Sequence, residues 1–176
     1  MIRRLLKIFR KKREIKVTNG EIDIEGLRKI AEDYYRNKEF YCSEAVLKAL
    51  KDGFNAPYGD DVVKMASGFP LGMGNGCTCG AVNGGVMAIG MFFGREKAYG
   101  LQVRKSMKLT KELQEIFTSK RKVCCCKVLT KGMELGTKKH NQHCIDITGE
   151  LTEITARILA RELGYKEKLK KPIDEV

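Results

Sequence analysis

The sequence predicts an all-α fold, a helical bundle of about five to seven helices, on three observations. Apolar residues recur at helical spacing in segment after segment. Pro occurs only three times in 176 residues, while Ala, Leu, Lys and Glu are frequent, which is the composition of helices. Beyond a short stretch around Asn19-Gly20, no segment alternates apolar and polar residues in the manner of a strand.

The length suits one domain of ordinary size, read here as a basic N-terminal segment, 1–20, followed by a helical cysteine-bearing domain, 21–170. The hydrophobic content of 43% supports a core, which rests on aliphatic residues because Trp is absent. The net charge of +12 is unevenly placed. Residues 1–16 hold eight Lys or Arg against one acid, Glu14, leaving a body close to balance. That distribution argues against nucleic acid as a partner, which would call for a basic groove. Within Met1–Lys16, Ile2, Leu5, Leu6 and Phe9 stand at helical spacing. Such a segment suits peripheral contact with an anionic membrane or an acidic partner, or simply a solvated helix. No secretory h-region and no membrane-length apolar run is visible. The expected setting is reducing cytoplasm, where seven clustered cysteines more often bind metal or do redox chemistry than form structural disulfides.

In chain order, Asn19-Gly20 reads as the turn of a short hairpin between Ile15/Val17 and Ile22/Ile24. An acidic start at Glu25 opens a helix with Leu27, Ile30, Ala31 and Tyr34, running to about Arg36. Cys42-Ser43-Glu44-Ala45-Val46-Leu47 opens a second helix that Asp52-Gly53 closes. Asp60 and Asp61 begin a short helix through Ala66. The stretch Ala66–Gly94 follows, first a glycine-rich cysteine loop, then a buried central helix ending before Gly94. A long helix is expected from Glu96 to Ser119, with Leu101, Met107, Leu109, Leu113, Ile116 and Phe117 inward and its Lys and Arg in solvent. Cys124-Cys125-Cys126 precedes a helical piece reaching Leu129, and 132–142 reads as loop. Thr148 is expected to cap the last helix, which Gly164 ends.

Cys42, Cys79 and Cys144 thus fall at predicted helix starts, where N–H groups and the dipole favour thiolate. They read as anionic ligands or nucleophiles. Cys77 and Cys124 better suit small buried hydrophobes. Gly72, Gly74 and Gly76 allow positive φ and can bring N–H groups to sulfur, while Gly80, Ala81, Gly84, Gly85 and Ala88 offer a small face for close helix packing. Gly76, Gly80 and Gly84 are accordingly candidate cofactor-contact positions. The glycine spacing matches neither the dinucleotide fingerprint nor a P-loop, and the cysteine spacing is not a zinc ribbon. His140 and His143 keep a mixed His/Cys metal site open.

The chain resembles the C_GCAxxG_C_C family of redox-active proteins over roughly residues 25–165. Tyr41-Cys42-Ser43-Glu44-Ala45-Val46-Leu47 is similar to the helix opening at the family's first cysteine. Ala66-Ser67-Gly68-Phe69 through Cys79-Gly80-Ala81-Val82-Asn83-Gly84 looks like the signature itself. Cys126-Lys127-Val128-Leu129 fits the third cysteine, with Cys125 as the alternative, and Cys144 the fourth. The domain is also similar to part of the split-Soret cytochromes, though no Cys-x-x-Cys-His haem site is present. The resemblance implies that Cys42, Cys79, Cys126 and Cys144 form one redox site holding an iron–sulfur cluster, expected to be [2Fe–2S], in an electron-transfer protein with a redox partner. Oligomerisation is compatible with it. Two alternatives stand beside it: a thiol–disulfide oxidoreductase pairing Cys79 with Cys42 or Cys77 and holding no cofactor, and a structural zinc module with a basic membrane- or nucleic-acid-contacting N-terminus.

Overall fold

The computed structural model describes residues 16–168. The expected N-terminal amphipathic helix lies outside the described residues. Seven α-helices fill the described part: α1 (Ile24–Arg36), α2 (Cys42–Gly53), α3 (Asp61–Met65), α4 (Gly80–Phe93), α5 (Gln102–Arg121), α6 (Cys126–Leu129) and α7 (Lys138–Leu163). Two-residue strands, β1 (Glu21–Ile22) and β2 (Lys166–Glu167), complete it. The fold is an all-α bundle, as expected. No helix among the described residues is long and apolar enough to cross a membrane.

α7 is the axis of the bundle. At 26 residues it is about 39 Å long, and it packs against α1, α2, α4 and α5. Its inward face is Ile147, Leu151, Ile154, Ile158 and Leu159 with three buried threonines. Thr148, Thr152 and Thr155 each donate a hydroxyl to a carbonyl one turn back (2.7, 2.8 and 2.6 Å). These bonds explain why the expected start at Thr148 is wrong. A threonine that satisfies its hydroxyl on the i−4 carbonyl sits comfortably inside a helix. The helix begins eleven residues earlier, where Thr137 Oγ1 accepts the His140 N–H at 3.3 Å. Residues 138–142 of the expected loop 132–142 are therefore helical, and Gly164, at φ +76°, ends the helix as predicted.

α4 is apolar on nearly all sides and packs on α2, α5 and α7. Its approach to α2 depends on Gly84, where a Cβ would stand 2.5 Å from the Ser43 carbonyl oxygen. α5 starts later than expected, because 95–101 form turns with Tyr99 at φ +62°. Its inward face is Leu109, Leu113 and Phe117. Leu101 and Met107 lie in solvent, contrary to expectation, since Met107 is two positions, about 200°, from Leu109 on the helix.

Asn19 and Gly20 do form a turn, both with positive φ, and Thr18 and Glu21 exchange backbone bonds across it. The outgoing strand then pairs in parallel with β2, in the register Glu21 with Lys166 and Ile22 with Glu167. The segment after α7 supplies the strand partner that a two-stranded hairpin lacks.

Candidate functional site

Four segments converge at one end of the bundle, and each is held by its own local chemistry. Cys42 is the first residue of α2. Tyr41 precedes it in extended conformation, its N–H donating to the Glu44 carboxylate at 2.9 Å. The fully buried Ser43 donates to the Ala66 carbonyl at 2.8 Å. Cys79 is the N-cap residue of α4, so its sulfur stands beside the first-turn N–H groups, those of Ala81 and Val82 favouring its thiolate.

Cys126 opens α6 beside Cys79 because the two chain segments are clipped together. Thr78 and Cys125 form an antiparallel bridge, the Cys79 N–H donates to Cys124 O at 2.8 Å, and the Cys126 N–H donates to Cys77 O at 2.6 Å. The glycine loop makes room for this clip. Leu71, Gly72, Met73 and Gly74 all adopt left-handed backbone, a conformation that costs an L-residue roughly 1–2 kcal/mol. At Gly72 a Cβ would meet Cys77 N at 2.6 Å and Cys126 Cβ at 2.9 Å.

Cys144 arrives differently. It lies in the second turn of α7, not at a helix start, which corrects the sequence reading. Its sulfur lies 3.7 Å from His140 Nε2, and Tyr35, from the last turn of α1, lines the same cavity.

Cys42, Cys79, Cys126 and Cys144 together line one cavity of about 420 Å³, whose other walls include Tyr35, Tyr41, Leu71, Leu129, Leu135 and His140. The remaining cysteines are not among its lining residues. Cys77 is exposed, Cys124 packs on the core, and Cys125 Sγ donates to Gly76 O at 3.2 Å. The alternating directions of 124, 125 and 126 are those of an extended segment.

Gly76, Gly80 and Gly84 do not line the cavity either. They are close-approach positions. A Cβ at Gly80 would stand 2.6 Å from Cys42 Sγ, and one at Gly76, where φ is +72°, 2.9 Å from Lys127 Cβ.

Burial decides the protonation of these sulfurs. Desolvation pushes the Cys79 thiol up to about 12 against the opposing pull of the Ala81 N–H. Cys42 is raised further, first by burial and then by the charges of Cys79 and Cys144. Cys126 and Cys144 are also raised, burial being the largest cause in both. The helix-start N–H groups therefore act in the expected direction but lose to desolvation. Cys42 and Cys79 are held as thiols near neutrality by their burial.

A family model described as putative redox-active protein (C_GCAxxG_C_C) matches residues 40–158. The chain belongs to this family. The match begins beside Cys42 and extends past Cys144, so it contains all four cavity cysteines and most of α7. Comparison with curated proteins and with solved structures gave no match.

One residue of the site went unread in the sequence, and a second was read only as a member of a candidate mixed His/Cys metal site. Tyr35 carries no local signal, because Cys144, which lines the same cavity, is more than a hundred positions away. His140 stands four residues before Cys144, the spacing of one helical face, but that is visible only once α7 is known to begin at Thr137.

Proposed function

We propose that this member of a redox-active family is an iron–sulfur electron carrier in which Cys42, Cys79, Cys126 and Cys144 hold one cluster, [2Fe–2S] being the form the site suits best. The observation that carries the reading is the convergence of four cysteines from four separate elements on one cavity, while the other three are directed elsewhere.

The donor set fits the group. Four thiols satisfy the ligand count of a cluster, and Gly80 and Gly72 keep clear the space beside the Cys42 sulfur and the Cys126 Cβ. Among the described residues no three Cys, His, Asp or Glu side chains stand so as to hold a single metal ion. A tetrahedral zinc site asks for four donors around one centre, whereas a [2Fe–2S] centre asks for two cysteines on each iron. The raised thiols weigh against a thiol–disulfide oxidoreductase, whose attacking sulfur must be an accessible thiolate.

When bound, the cluster supplies one-electron chemistry. The chain's residues hold the four sulfurs, set Cys79 at the N-terminal end of α4, and wall the site with Leu129, Ile145 and Ile147. A redox partner reaches the site where Tyr41, Leu71 and Leu135 reach solvent. The setting is a reducing compartment, the cytoplasm.

Protein purified without oxygen is expected to be brown and to contain iron and acid-labile sulfide. Each of Cys42→Ser, Cys79→Ser, Cys126→Ser and Cys144→Ser is expected to lower the iron content, with Cys125→Ser leaving it unchanged. Colourless protein carrying one tightly held zinc would overturn the assignment, and loss of iron on Cys125→Ser would overturn the ligand set.

A further inference from the structure

The four cavity cysteines do not share one kind of hydrogen-bond environment. Cys79 is the cap of its helix and Cys42 the first residue of α2, so both stand where first-turn N–H groups have no partner within the helix. Cys144 lies inside α7, where the backbone N–H groups are committed to the helix. Two side chains take their place. His140, one turn earlier on α7, brings Nε2 to 3.7 Å from Cys144 Sγ, and Tyr35, in the last turn of α1, lines the same cavity as Cys144.

His140 is only 4% exposed, and its Nδ1 is buried with no hydrogen-bond partner among the described residues. An unpaired buried nitrogen of this kind costs roughly 1–3 kcal/mol. A histidine kept at that cost, with its other nitrogen on a site sulfur, points to a role at the sulfur.

We propose that His140 and Tyr35 are positioning residues that donate side-chain hydrogen bonds to the Cys144 sulfur and thereby raise the reduction potential of the site. The inference rests on the iron–sulfur reading above. A donor to a ligand sulfur favours the form of the site that carries more negative charge, which is the reduced one. Removing either donor shifts the reduction equilibrium toward the oxidised form. The expected shift is about tenfold per donor, a midpoint about 59 mV more negative for a one-electron couple.

The test uses the full chain purified without oxygen, as wild type, Tyr35→Phe, His140→Gln and, as a control at a histidine that does not line the cavity, His143→Gln. Iron and sulfide are measured first, and midpoint potentials are then read by redox titration. Full iron and sulfide in all four proteins is expected, with potentials lowered in Tyr35→Phe and His140→Gln and unmoved in His143→Gln. Unmoved potentials in both Tyr35→Phe and His140→Gln, with iron retained, overturn the tuning role and leave the cluster assignment standing. Iron lost from His140→Gln and kept in Tyr35→Phe overturns it in another way, making His140 a ligand. Wild-type protein without iron and sulfide overturns the cluster assignment and the tuning role with it.

Discussion

Replacing Gly84 with Ala tests whether the site depends on how closely α4 approaches α2. The added methyl would stand 2.5 Å from Ser43 O, 3.0 Å from Val46 Cβ and 3.1 Å from Ser43 Cα. Two of those three atoms are backbone, so no rotamer change relieves the contact and the helices must separate. Overpacking of this kind costs about 3 kcal/mol at the upper end of its usual range. Ala in place of Gly inside a helix returns about 1 kcal/mol. The net loss is about 2 kcal/mol, a fall in Tm of about 4–8 °C for a chain of this size. Gly90 supplies the control on the same helix, since a Cβ there meets nothing within 4 Å. Gly90→Ala is expected to gain about 0.5–1 kcal/mol. Urea unfolding of the metal-free, reduced proteins, followed by circular dichroism, separates the two by about 2–3 kcal/mol. Equal stabilities for Gly84→Ala and Gly90→Ala would refute the argument, because steric contact with α2 is the main difference between the positions.

Three further outcomes follow from the same geometry. Gly80→Ala places a methyl 2.6 Å from Cys42 Sγ and 2.9 Å from Phe69 O, and is expected to lower iron retention severalfold while circular dichroism still reports a helical fold; full iron content would show that the sulfur can move aside. Thr137→Ala removes the cap of α7 and is expected to cost about 1 kcal/mol, with faster amide exchange in the turn that carries His140; unchanged exchange would mean that the helix start is held by other contacts. In metal-free protein, folded and unfolded chains both keep the Cys42 and Cys79 thiols protonated below about pH 8.5. Above it the unfolded chain loses those protons first, so stability falls as pH rises toward the raised folded values. The slope is about 1.4 kcal/mol per pH unit for each cysteine. Urea midpoints from pH 8 to pH 10 should show it, and Cys42→Ala should reduce it; a slope unaltered by that substitution would contradict the burial argument.

Much of the fold was legible because its signals are local. The apolar spacing of Leu27, Ile30 and Ala31, the Asp-Gly close of α2 and the glycine after α7 each act within a turn or two of chain. The cysteines, the glycine signature and the family resemblance were likewise open to reading, since residue identity and short-range order carry them. Local signals misled at Thr148 and Met107. A capping residue and a core residue look the same in sequence as a threonine bonded to its i−4 carbonyl and a methionine on the far side of a helix.

The sequence alone determined which residues can do redox chemistry and that helices present them. Only the tertiary structure decided which cysteines line one cavity. The Thr78–Cys125 bridge directs Cys126 into the cavity and Cys125 to Gly76, a choice that alternation along an extended segment makes and composition cannot. It also decided that burial outweighs the helix starts in setting thiol protonation, because desolvation depends on every element packed around a sulfur. Finally it brought His140 to Cys144 and Tyr35 to the cavity that Cys144 lines. Those placements arise from the packing of α1 on α7 and from the true start of α7, and neither is written in any short stretch of the chain.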